Sequence, residues 1–87
     1  MTGTTKSGFA YEVSDSVFEN MELIDALADA GGENPLAIST VCKLVFGSEQ
    51  RNRLYNHLRL EDGTVPLHEV SEAIAEVFAA KGSNGKN

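Results

Sequence analysis

The chain has 87 residues, 41% of them apolar and 23% charged, with 13 acidic against 7 basic side chains and a formal charge of −6. That length fits one small hydrophobic core and excludes a multi-domain enzyme, while the negative balance opposes phosphate backbones and non-specific nucleic-acid binding. The one cysteine, Cys42, excludes an internal disulfide and a cysteine-rich zinc site; with no long apolar run and no signal-peptide core, the expected location is the cytoplasm, away from membranes.

Residues 1–8 and 82–87 are built from Gly, Ser, Thr, Asn and Lys without periodicity and are expected as flexible tails around a single domain at 9–81. Phe9-Ala-Tyr-Glu-Val13 alternates apolar and polar residues, the pattern of a short extended arm or edge strand. Ser16-Val-Phe-Glu19 has the form of a capping box, with Ser14 as an alternative cap, and Val17, Met21, Ile24 and Ala28, flanked by Leu27, follow at helical spacing. This predicts a first helix with that stripe toward the core, the acids Asp15, Glu19, Glu22, Asp25 and Asp29 opposite, and a stop at Gly31-Gly32.

Asn34-Pro35 predicts the cap and first turn of a second helix, apolar around most of its circumference from Ala37 to Phe46 and stopped by Gly47. Ser48 opens a third helix to about Leu60 with a narrow stripe of Leu54 and Leu58, Tyr55 beside it, and a basic surface. After the turn Glu61-Asp62-Gly63 and Thr64-Val65-Pro66, a fourth helix runs to about Ala80 with Leu67, Val70, Ile74, Val77 and Phe78 on one side. The expected fold is all-α, a compact bundle of four short helices with a short N-terminal arm.

Several constellations bear on chemistry, of which a carrier module modified on Ser16 and a small DNA-binding regulator stay open as the alternative reading. Residues 58–69 place Gly63 and Glu69 where a calcium loop needs them, but Leu58 and Leu60 fill the two leading ligand positions and offer no side-chain oxygen. Asp15-Ser16-Val17 before an acidic helix resembles the phosphopantetheine serine of acyl carrier proteins, yet only fifteen residues precede Ser16 where carriers have a full helix and loop; a capping hydroxyl is the simpler role. His57 and His68 lack a neighbouring Cys or paired carboxylates at ligand spacing and are read as solvated, and Cys42 in its apolar helix is read as a buried, inert thiol. Arg51, Arg53 and Arg59 with Tyr55 supply too few phosphate contacts for a DNA-binding regulator. No catalytic residue, cofactor or metal site is therefore expected.

Charge is distributed unevenly: no Lys or Arg lies between Ser7 and Cys42, where seven acids fall, while 43–60 holds four bases against Glu49. Phe18 and Leu23 break the first helix's pattern, standing outside its apolar stripe. Either the N-terminal arm covers them or they form, with neighbouring acids such as Glu22, an apolar and acidic contact surface; Tyr55 and Arg59 are further contact candidates.

The linear pattern resembles a family. Phe9-Ala-Tyr-Glu-Val, Met21-Glu-Leu-Ile-Asp-Ala-Leu-Ala-Asp-Ala30, Asn34-Pro35-Leu36, Leu44-Val-Phe-Gly47, Glu49-Gln50, Leu54-Tyr-Asn-His-Leu58-Arg, Asp62-Gly63, Val65-Pro66 and Val70-Ser-Glu-Ala-Ile74 are similar to the small acidic tail assembly chaperones of siphophages and prophages of Gram-positive bacteria. The resemblance covers about 9–81 and implies a helical, non-enzymatic protein of the host cytoplasm that coats the tape measure protein, helps recruit tail-tube subunits, can self-associate, and leaves before the virion is complete. Such chaperones are often made in a second, frameshifted length, and Gly85-Lys86-Asn87 can be encoded by a slippery run.

Overall fold

In the computed structural model, residues 1–30 and 35–85 are described, with side chains through 29 and from 35 to 82. The chain opens on a hairpin. Strand β1 (Thr2–Thr4) pairs antiparallel with β2 (Ala10–Glu12) in the register Thr2 to Glu12, Gly3 to Tyr11 and Thr4 to Ala10. The ladder continues past both strand ends: Met1 and Val13 exchange two bonds of 2.6 and 2.8 Å, and the Thr5 N–H donates to Phe9 O at 2.9 Å. Gly8, at φ 97°, turns the chain where a side chain would be strained. Residues 1–8 are thus not a tail: they form the first strand and turn of this hairpin.

The alternation read in 9–13 is the register of β2, with Phe9, Tyr11 and Val13 buried and Ala10 and Glu12 exposed. Phe9 meets Phe46 edge-on at 6.0 Å and Tyr11 meets the same ring at 6.5 Å, which fastens the hairpin to the helices.

Residues Asp15–Glu19 form a 3-10 helix, and α1 (Met21–Ala30) starts only after it. The expected capping box is corrected. Ser14 makes no side-chain cap bond, the Ser14 and Ser16 hydroxyls bond each other at 2.9 Å, and Asn20 caps α1 instead, its Oδ1 accepting the Glu22 N–H at 3.0 Å. The new helix start separates Val17 from the α1 stripe, and the buried face of α1 is Leu23 and Ala26 with Leu27 half-buried, while Met21 is 62% and Ile24 45% exposed. At about 100° per residue the core face lies about 140° around the helix from the expected one. The expected stop at Gly31-Gly32 and the Asn34 cap lie outside the described residues.

Helix α2 (Pro35–Leu58) is two helical segments in succession, interrupted at Gly47, whose φ of 75° and ψ of 170° are non-helical. The expected interruption at Gly47 is present, and the second and third expected helices are the segments on its two sides. Gln50 repairs the break: its Nε2 donates to Phe46 O at 3.0 Å and to Glu12 O at 2.6 Å, and its Oε1 accepts the Glu12 N–H at 2.8 Å. One amide side chain thereby ties the kink to the outer edge of β2.

Helix α3 (Leu67–Gly85) carries Val70, Ala73, Ile74 and Val77 into the core with Phe78 half-buried, but Leu67 is 50% exposed, because it borders an open hollow with Pro35, Tyr55 and Val65 instead of entering the core. It runs past the expected end at Ala80, and residues 86–87 of the expected tail lie outside the described residues. The fold is predominantly helical, with α2 packed between α1 and α3 and the hairpin against α2; among the described residues the expected four-helix bundle is met in outline, as α1, the two segments of α2, and α3, with a small two-stranded sheet added.

Candidate partner-binding surfaces

Of the five residues singled out as contacts, Leu23 is buried and Phe18 is half-covered. Leu23 is 1% exposed, at the centre of the core, because α1 turns its Leu23–Leu27 side inward. Phe18 is half-buried under α3, edge-on to Phe78 at 5.4 Å and beneath Lys81 Nζ, 5.4 Å from the ring centroid; Lys81 also reaches Asp15 at 3.4 Å. The cover over Phe18 is the end of α3, not the N-terminal arm.

Glu22 remains exposed. With Asp25, Ala26 and Asp29 it forms the α1 bank of an open cleft of about 390 Å³, whose α2 bank is Leu36, Ala37, Thr40 and Leu44. Beyond the carboxylates, on the side of α1 away from the core, lie Met21, Ile24 and Ala28, all exposed. The stripe expected to face the core is therefore an outward apolar face bordered by acids. Asn20 was the available signal: a strong cap residue three positions into the supposed helix divides Val17 from Met21.

Tyr55 and Arg59 do come together, around a hollow of about 310 Å³ shared with Pro35, Ile38, Ser39, Val65, Leu67 and Val70. Both are already engaged. Arg51 lies over the Tyr55 ring, and burial pushes the pKa of the Tyr55 hydroxyl up, as it does that of the Cys42 thiol. Arg59 donates to Gly63 O at 2.7 Å and to Asn56 Oδ1 at 3.2 Å, which closes the turn after α2.

The other arginines also serve the fold, Arg51 lying over Tyr55 at 5.8 Å and Arg53 over Phe9 at 5.6 Å. Asp62 points inward to Thr64, accepting from its N–H and hydroxyl at 3.0 and 2.7 Å, and these bonds lower its pKa. The segment read against a calcium loop is thus a turn closed by its own side chain. His57 is not simply solvated: its Nε2–H donates to Ser7 O at 2.9 Å and its ring lies tilted against Phe9, centroids 5.9 Å apart, pinning the hairpin turn. His68 pairs with Glu72 at 3.3 Å on the open surface of α3.

Among the described residues no group of three His, Cys, Asp or Glu side chains could hold a metal ion, and no helix is long and apolar enough to cross a membrane. Comparison with protein-family models, with curated proteins and with solved structures finds no match for this chain.

Proposed function

We propose that the chain is a non-enzymatic tail assembly chaperone of the siphophage kind, which holds the tape measure protein in the host cytoplasm while the tail is built. The observation that carries this reading is the outward face of α1, where Met21 is 62% and Ile24 45% exposed beside Glu22, Asp25 and Asp29. An apolar strip with an acidic border suits the shielding of a partner's apolar helix, and the chain's net charge keeps the pair dissolved. The pattern similarity over 9–81 supplies the partner's identity. Recruitment of tail-tube protein, self-association and release before the virion is complete belong to the same proposal.

Co-expression with the tape measure protein encoded beside it tests this. The wild-type chain should keep that protein soluble and co-purify with it, whereas Met21→Asp/Ile24→Asp, which alters only exposed side chains, should not. A tape measure protein that stays insoluble beside abundant folded wild-type chain would refute the reading.

A further inference from the structure

We propose that the outward face of α1 is a docking strip for an α-helical segment of a partner protein, apolar along one side and carrying Lys or Arg on the flank that meets Glu22, Asp25 and Asp29. The inference rests on the chaperone reading for the partner's name and adds the chemistry of the segment held. Met21, Ile24 and Ala28 stand at i, i+3 and i+7, two helical turns or about 10 Å, which is the spacing at which a second amphipathic helix presents its own anchors. Across the acid row the surface turns apolar again at Leu36, 77% exposed on the far bank of the cleft.

The charge of the occupant follows from the acid row. Glu22, Asp25 and Asp29 repeat the same i, i+3, i+7 spacing, so each carboxylate repels its neighbour along the helix. None of the three has an ion-pair partner among the described residues, whose salt bridges are His68–Glu72 and Lys81–Asp15. Asp29 sits in the last turn of α1, where the helix dipole disfavours a negative charge, and no base stands in that turn. A flank of Lys or Arg from outside turns this repulsion into attraction. A second copy of the chain is the weaker occupant, because Arg51 and Arg53 already lie on Tyr55 and Phe9, Arg59 holds its own turn and Lys81 reaches Asp15, which leaves Lys6 and Lys43, far apart in sequence, as the cations among the described residues.

Two synthetic helical peptides of about 18 residues test the strip, each with Leu at i, i+3, i+4 and i+7 and flanked by Lys in one and Glu in the other. Amide shifts of the ¹⁵N-labelled chain and calorimetry are the readouts. The Lys peptide should move amides in α1 and in 36–44, and the Glu peptide should bind at least about tenfold more weakly. Glu22→Gln/Asp25→Asn/Asp29→Asn and Met21→Ser/Ile24→Ser should each weaken the Lys peptide by about tenfold or more without lowering Tm, and added salt should act in the same direction. Equal binding of the two peptides, shifts confined to the Tyr55–Arg59 hollow, or no shift at all would overturn the proposal. So would concentration-dependent shifts of the α1 amides without peptide, which would assign the strip to a second copy. If both triple and double variants still keep the tape measure protein soluble, the strip fails and the chaperone reading stands; if the Lys peptide binds as stated but the tape measure protein stays insoluble, the reverse holds.

Discussion

Replacing glycine by alanine at three positions gives the same added methyl group three different backbones to sit on. At Gly47, φ is 75° and ψ 170°, a region open to glycine and strained for every L side chain, while a Cβ there would meet nothing within 4 Å. The cost of Gly47→Ala is therefore backbone strain alone, about 1–3 kcal/mol, reduced by about 0.4–1 kcal/mol because alanine also restricts the unfolded chain. In a domain of this size each 1 kcal/mol moves Tm by about 4–8 °C, so the central net cost of about 1.3 kcal/mol lowers Tm by about 5–10 °C. Gly63→Ala, at φ 90° and equally open, should lose stability for the same reason. Gly82→Ala, exposed in α3 with nothing near its Cβ and no positive φ, should instead gain up to about 0.5–1 kcal/mol. Thermal and urea unfolding of the three variants measure this. If Gly47→Ala is as stable as the wild type, α2 runs straight through 47 in solution and the account of the kink and of Gln50 is wrong.

The remaining predictions separate the faces and caps. Leu23→Ala should cost about 2–5 kcal/mol in urea unfolding, whereas Met21→Ala stays within about 0.5 kcal/mol; equal effects would mean that α1 turns its other side to the core. Asn20→Ala should cost about 0.5–2 kcal/mol, and Ser14→Ala should not, since only Asn20 bonds an α1 amide. Cys42 and Tyr55 both have folded pKa values raised by burial, so the stability they contribute is complete below their unfolded pKa values and is lost as pH rises through the folded ones. Cys42→Ala should flatten the alkaline limb of stability against pH, and the wild-type thiol should react with a maleimide only as fast as the core opens.

Much of the fold was legible where one period dominates. The alternation at 9–13 marked β2, and Val70, Ile74 and Val77 marked the buried side of α3, because each pattern has one reading. Residues 1–8 were opaque because Thr, Lys, Ser and Gly carry no periodicity; their strand exists through pairing with β2 and through Thr5, whose hydroxyl accepts the Phe9 N–H at 3.1 Å. Helix α1 misled because it has two apolar sides, Met21–Ile24–Ala28 and Leu23–Ala26–Leu27, and spacing cannot choose between them. What chooses is contact with α2, where small Ala26 and Ala37 stand at the seam and the leucines fill the space beneath.

That doubled apolarity sets how the proposed function must operate. Full burial of a Met or Ile side chain contributes about 1.5–3 kcal/mol, and Met21 and Ile24 begin 62% and 45% exposed, so covering both yields only about 2–3 kcal/mol before the charged flank is added. Association costs more than that, about 4–15 kcal/mol in lost freedom, so the apolar strip binds only with the charged flank and Leu36 added, and then as a weak, fast-exchanging contact. A long partner is held by such strips only if many chains bind along it, each replaceable while the rest remain. The chaperone reading therefore predicts a complex with several copies of this chain per tape measure protein, measurable by light scattering of the co-purified complex. A stable one-to-one complex would require far more buried surface than α1 offers and would place the main contact elsewhere on the molecule.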